Sequence, residues 1–161
     1  MANEMKVYVL ELLENYHKRA REIALLRYEL AHPVRVTEDE LIEAMSYAHQ
    51  DGVGRPEGHI SNKTLYIALN YREQAGRLNT ENVGEISAKL TRLEREQARL
   101  EYYISLLEPR QEQVLRRLYL ERMPREKAAD EFGLSVRRLQ EIRVQAIESL
   151  AEMYCFTDAL Y

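Results

Sequence analysis

Cysteine is almost missing from this chain. Cys155 stands alone, so no intrachain disulfide framework is possible, and a reducing cytoplasm is the expected compartment. Glycine (6) and proline (4) are sparse, and Glu, Leu, Arg and Ala are frequent in their place, which favours an all-α protein over a turn-rich one. No apolar run approaches the ~20 residues of a membrane span, so no membrane partner is expected. The start, Met1-Ala2-Asn3-Glu4-Met5-Lys6, lacks the basic opening and apolar block of a signal peptide. With 161 residues, 45% hydrophobic and 31% charged, the chain can bury a core beneath a heavily charged surface as one domain or two small ones.

A net charge of −4 argues against a general polyanion binder. Its distribution is uneven. Residues 108–150 carry nine basic side chains, at 110, 116, 117, 122, 125, 127, 137, 138 and 143. Eight acids oppose them, at 108, 112, 121, 126, 130, 131, 141 and 148. This segment is the least acidic of the chain without being a basic patch. Phosphate affinity grows with each charge neutralised, so modest DNA affinity is expected from it alone.

Apolar spacing predicts a long helix over 5–31, with Val9, Leu12, Leu13, Tyr16, Ala20, Ile23, Leu26 and Leu30 on one stripe and Pro33 ending it. Thr37 and Glu40 make a capping box for a short helix through Leu41, Ile42, Met45 and Ala48. Three glycines and a proline between Asp51 and Gly58 predict a loop, after which Ser61 can cap a helix through Leu65, Ala68, Leu69 and Arg72. Asn79-Thr80-Glu81-Asn82-Val83-Gly84 is expected to break it. Val83, Ile86, Leu90, Leu93, Gln97, Leu100, Ile104 and Leu107 then form an a/d heptad seam. That seam can pair with the first helix within one chain, pair between chains as a homodimer, or serve as the apolar stripe of a simple bundle. Gln97, its one polar member, is a candidate for selecting register or partner.

Pro109 suits the first position of a new helix burying Val114, Leu115, Leu118 and Tyr119. Pro124 opens the next, to Phe132, and Ser135 caps a last long helix with Leu139, Ile142, Ala146, Ile147 and Leu150 inward. Over 128–139 the spacing is that of a helix-turn-helix. Ala129 is small where two helices cross, Gly133 can take the left-handed turn, and Leu139 docks the second helix with Leu134 and Ile142. The face left outward holds Ser135, Val136, Arg137, Gln140, Glu141 and Val144 as candidate base contacts. Arg and Gln offer bidentate bonds to guanine and adenine, and Glu accepts from cytosine. Arg138 and Arg143 flank that face as candidate phosphate contacts. The expected division is 1–107, a helical hairpin or bundle for interaction, and 108–161, a DNA-binding domain.

Leu107-Glu108-Pro109-Arg110-Gln111-Glu112-Gln113-Val114-Leu115 resembles the lead-in helix of sigma-70 family region 4, and Leu134-Ser135-Val136-Arg137-Arg138-Leu139 resembles the start of its recognition helix. Lys127 and Ala128 depart from the usual acid and larger apolar residue there. The front half does not resemble sigma regions 2 or 3: it has no aromatic, basic helix suited to promoter melting, and tryptophan is absent. Leu41 to Tyr47 followed by Gly54 to Thr64 is instead similar to small phage and prophage regulators of the ArpU and RinA kind. The resemblance implies transcriptional control through double-stranded promoter DNA, with or without contact to bacterial RNA polymerase. A small terminase-like DNA-packaging subunit and a protein-interaction module are the alternatives.

No enzyme motif is present. Lys63-Thr64 lacks the glycines of a P-loop, since Asn62 and Glu57 stand at their positions. His17, His32, His49 and His59 show no metal-ligand spacing with one another or with Cys155, so neither a metal nor a cofactor is expected. Tyr102-Tyr103 reads as packing beside the seam rather than as a base-stacking platform.

Overall fold

The computed structural model describes residues 2–33, 35, 37–40, 42 and 62–160. The fold is all-α. The helices are α1 (Ala2–Glu14), α2 (Tyr16–Ala31), α3 (Asn62–Ser105), α4 (Pro109–Leu115), α5 (Arg125–Phe132) and α6 (Val136–Asp158), with a π-helical turn at Arg116–Leu120 between α4 and α5. Among the described residues no helix is long and apolar enough to cross a membrane.

The expected helix over 5–31 is interrupted at Asn15, whose side-chain amide donates to the Glu11 carbonyl at 2.9 Å. Short amide side chains compete with the helix ladder in this way. Helical bonds nevertheless run through the junction, from Asn15 N to Glu11 O and from Arg19 N to Asn15 O. Helix α2 stops at Ala31, ahead of Pro33 as expected. The Thr37 capping box is formed: Glu40 N donates to Thr37 Oγ1 at 3.3 Å, and Thr37 N to Glu40 Oε2 at 3.0 Å. Residues 38–40 and 42 are helical, while the expected loop over Asp51–Gly58 and the Ser61 cap lie outside the described residues.

The break expected at 79–84 does not occur, since α3 runs unbroken from Asn62 to Ser105. Thr80 Oγ1 donates to the Gly76 carbonyl at 2.9 Å and so stays within the helix. Nothing lies within 4 Å of where a Cβ on Gly84 would stand, so no close approach calls for glycine there. Each weak helix former costs at most about 1 kcal/mol against alanine, too little to stop so long a helix.

The chain divides into two compact units, Leu25–Leu90 and Met1–Ala24 with Thr91–Tyr161. The boundary expected at 107/108 therefore falls inside one unit. The reason is a shared core. Val9, Leu12 and Leu13 of α1 pack with Leu100 and Ile104 of α3, Leu107, Leu115 of α4, and Ala146, Ile147, Leu150, Ala151 and Tyr154 of α6. The heptad seam is buried at Leu90 and again from Gln97 onward, at Leu100, Ile104 and Leu107, whereas Val83 remains 40% exposed.

Arg19 is the feature of this unit that the sequence pattern hides. Its side chain is buried, donates from Nε to Gln97 Oε1 at 2.7 Å and from Nη2 to the Leu12 carbonyl at 2.7 Å, and approaches Glu96 at 3.5 Å. A buried cation is tolerable only with such partners. Gln97 thus meets an intrachain cation, while Ala20, expected inward, is exposed. At the far end of α6, Arg99 lies over the rings of Tyr154 and Tyr103, at 4.6 and 5.3 Å, and bonds to Asp158 at 2.9 Å. Burial opposes the guanidinium charge, but the bonds to Asp158 and Tyr103 outweigh it and hold the group more firmly protonated.

Candidate nucleic-acid interface

A second, smaller core shapes the surface of interest. Val114 of α4, Ala128 and Ala129 of α5, and Leu139 and Ile142 of α6 are all buried together, with Leu118, Met123, Phe132 and Leu134 around them. Ala129 of α5 and Leu139 of α6 are thus buried in one cluster. A larger side chain at Ala129, 2% exposed, would force α5 and α6 apart.

The turn between these helices follows from one residue. Gly133 adopts φ 64°, ψ 34°, a left-handed conformation open to glycine at little cost. Gly133 N then donates to Asp130 O at 3.1 Å and Leu134 N to Ala129 O at 2.8 Å, the paired bonds of a Schellman close. Two residues later Ser135 caps α6, its Oγ accepting from Arg138 N at 3.1 Å. Pro124 takes the N-cap of α5 and Arg125 its first turn, one residue later than expected.

The lead-in helix opens at Pro109 as expected, but after Leu115 it widens into the π-helical turn. Glu121 N reaches Arg116 O at 2.9 Å and Met123 N reaches Arg117 O at 2.8 Å. Arg122 then reverses the chain at φ 53°, an uncommon conformation for a residue with a side chain. The sequence gives no sign of this widening. Its consequence is the placement of Tyr119, whose carbonyl accepts from His17 Nε2 at 3.0 Å and whose hydroxyl accepts from Arg143 Nε at 2.6 Å.

The eight candidate contact residues do not share one environment. Ser135, Val136, Arg137, Arg138, Glu141 and Val144 are exposed, and the Arg137 side chain is 92% open. Ser135 Oγ, however, already accepts the cap bond from Arg138 N. Gln140 is half-buried, with its carbonyl oxygen enclosed and unpaired, so it is poorly placed to present a whole amide to a base. Val144 lines a cleft of about 280 Å³ with Lys6, Val7 and Leu10 of α1. Arg143 is half-buried against Tyr119, its guanidinium 5.6 Å from the ring centre, so it pins α6 to the π-helical turn instead of reaching outward.

Charge pairing shapes the same surface. Glu141 Oε2 lies 2.9 Å from Arg138 Nη1 and Glu141 Oε1 lies 3.5 Å from Arg137 Nε. The bond to Arg138 above all holds the Glu141 carboxyl below its ordinary range; desolvation is the next effect and opposes it, and the charges of Arg138 and Arg137 add to the lowering. On the lead-in segment Arg116 pairs with Glu112, and Arg117 with Glu121 and Glu131. Among the described residues Arg122, Arg125 and Lys127 are exposed and form no ion pair.

Comparison with protein-family models, with curated proteins and with solved structures finds no match to this chain.

Proposed function

We propose that this chain is a transcriptional regulator of the phage or prophage type, binding promoter DNA through a helix-turn-helix that resembles sigma-70 region 4. One observation carries the reading. A left-handed glycine and a serine cap present the first turns of α6 beyond a buried crossing, with Arg137 almost fully open. A helix so presented fits the major groove, where an arginine can bond a guanine edge through two acceptors. Its partners on this reading are double-stranded DNA, with or without RNA polymerase contact, and a second copy of the chain. The exposed start of the heptad seam at Val83 supports such self-pairing, because the seam beyond Gln97 is already used within the chain.

Selection from a random DNA pool tests the proposal. Enrichment of a common motif is the expected result, and its symmetry reports whether one copy or two bind. A pool that remains random at low salt would overturn the reading.

The pairing of Glu141 with both arginines favours a second reading, an interaction module whose tail does not engage DNA. Association with DNA that is absent, or flat with salt, is its signature.

A further inference from the structure

We infer that Glu141 restrains the two arginines of the α6 face and so sets how sharply the protein tells one DNA sequence from another. The inference rests on the DNA-binding reading above and concerns a residue that spacing alone offers as a base contact. The geometry gives it another task. Each Glu141 carboxylate oxygen faces a different arginine, one at 2.9 Å and the other at 3.5 Å, across one turn of the same helix. Arg138 is further fixed by its backbone bond to the Ser135 cap, so the pair sits on an ordered turn. No other cation is paired with Glu141 among the described residues.

A DNA phosphate offers these arginines the same kind of anionic oxygen that Glu141 already supplies. Phosphates therefore compete with a carboxylate that is tethered beside its partners. An exposed ion pair is worth no more than about five-fold in an equilibrium constant. That is enough to offset much of a single phosphate contact. A guanine edge instead gives one guanidinium two acceptors in a plane, a match worth roughly five- to 150-fold over a wrong base. Glu141 is thus outcompeted at the right base and holds its ground along an arbitrary backbone. Nonspecific affinity falls more than specific affinity, and the ratio between them rises.

Glu141→Gln keeps the side chain's size and removes its charge. Glu148→Gln makes the same change of net charge further along α6, where the carboxylate pairs with Lys6 at 2.7 Å and with neither arginine. Binding of wild type and both variants is measured over a salt series on two probes: a short scrambled duplex and the duplex that the wild type enriches from a random pool. Glu141→Gln is expected to bind the scrambled duplex about three- to ten-fold more tightly, with a log–log salt slope steeper by about one to two. Its gain on the enriched duplex is expected to be smaller, so discrimination falls. Glu148→Gln is expected to leave scrambled binding within about two-fold. Equal gains from the two variants would reduce the effect to net charge and overturn the restraint. Unchanged scrambled binding by Glu141→Gln, with the enriched motif retained, would overturn it as well. A wild type that enriches no duplex from the pool and does not bind the scrambled one at low salt overturns the DNA reading itself, and the restraint falls with it.

Discussion

The two halves of α6 lead different lives. Its C-terminal half, from Ala146 to Tyr154, lies in a twelve-residue core shared with α1, α3 and α4. Its N-terminal half places only Leu139 and Ile142 in a five-residue core, and turns Val136, Arg137, Arg138 and Glu141 outward. One unbroken helix joins them. The large core therefore anchors a helix whose other end is free to present side chains, and a small hairpin need not supply its own rigidity. The left-handed Gly133 closes the helix before the small core's Leu134, and the π-helical turn lies between the two cores, with Leu118 against the small one and Tyr119 and Leu120 against the large one.

Core truncation breaks the comparison most severely. Leu150→Ala removes a fully buried side chain from the large core, and a loss of about 3–5 kcal/mol is expected in denaturant unfolding. Leu139→Ala is expected to cost less, about 2–3 kcal/mol, because the small core lies nearer solvent and can relax around the deletion. If Leu139→Ala proved the more costly, the large core would not be the anchor.

A smaller effect is expected at the turn. Gly133→Ala meets no atom within 4 Å, so its penalty is only that of a left-handed alanine, about 1 kcal/mol. Chemical denaturation checks this. A loss of several kcal/mol would mean that α5 and α6 approach more closely at this turn than described.

The smallest change concerns Tyr154, whose hydroxyl is enclosed in the large core without a hydrogen-bond partner. Burial above all, with Tyr8 and Tyr103 adding to it and the charges of Arg99 and Arg19 opposing, raises its pKa from the ordinary 10.0. The folded state therefore keeps this proton where the unfolded chain releases it. The associated stability is fully present below pH 10 and is lost as the pH climbs above that value toward the folded pKa. Tyr154→Phe is expected to be neutral or slightly stabilising near pH 7 and to flatten the alkaline limb of a stability–pH profile. An unaltered limb would contradict the assignment.

How much of this was legible in the sequence varied with the range of the cause. Pro109, Gly133 and Ser135 act through their own backbone or their nearest neighbours, and each sits where its chemistry places it. The seam from Gln97 to Leu107 was equally plain, because burial on one face repeats with the helix. Side chains whose role depends on a distant partner were not legible. Arg19 reads as a surface charge until Gln97, 78 positions away, is brought to it. A helical face gives direction but names no partner, so Arg143 read as a phosphate contact although Tyr119 holds it, and Glu141 as a base contact although two arginines do. The unbroken passage of α3 through 79–84 is hidden for a different reason. Weak helix formers resemble a stop, while the cooperative ladder on both sides carries the helix through.

The most direct test of the central claim is the binding of Arg137→Ala, at fixed salt, to the duplex that the wild type enriches and to a scrambled one. A loss of roughly ten-fold or more is expected on the enriched duplex. Scrambled binding should change by only about two- to three-fold, with an unchanged circular dichroism spectrum. Equal binding of the enriched duplex by wild type and Arg137→Ala would contradict the claim.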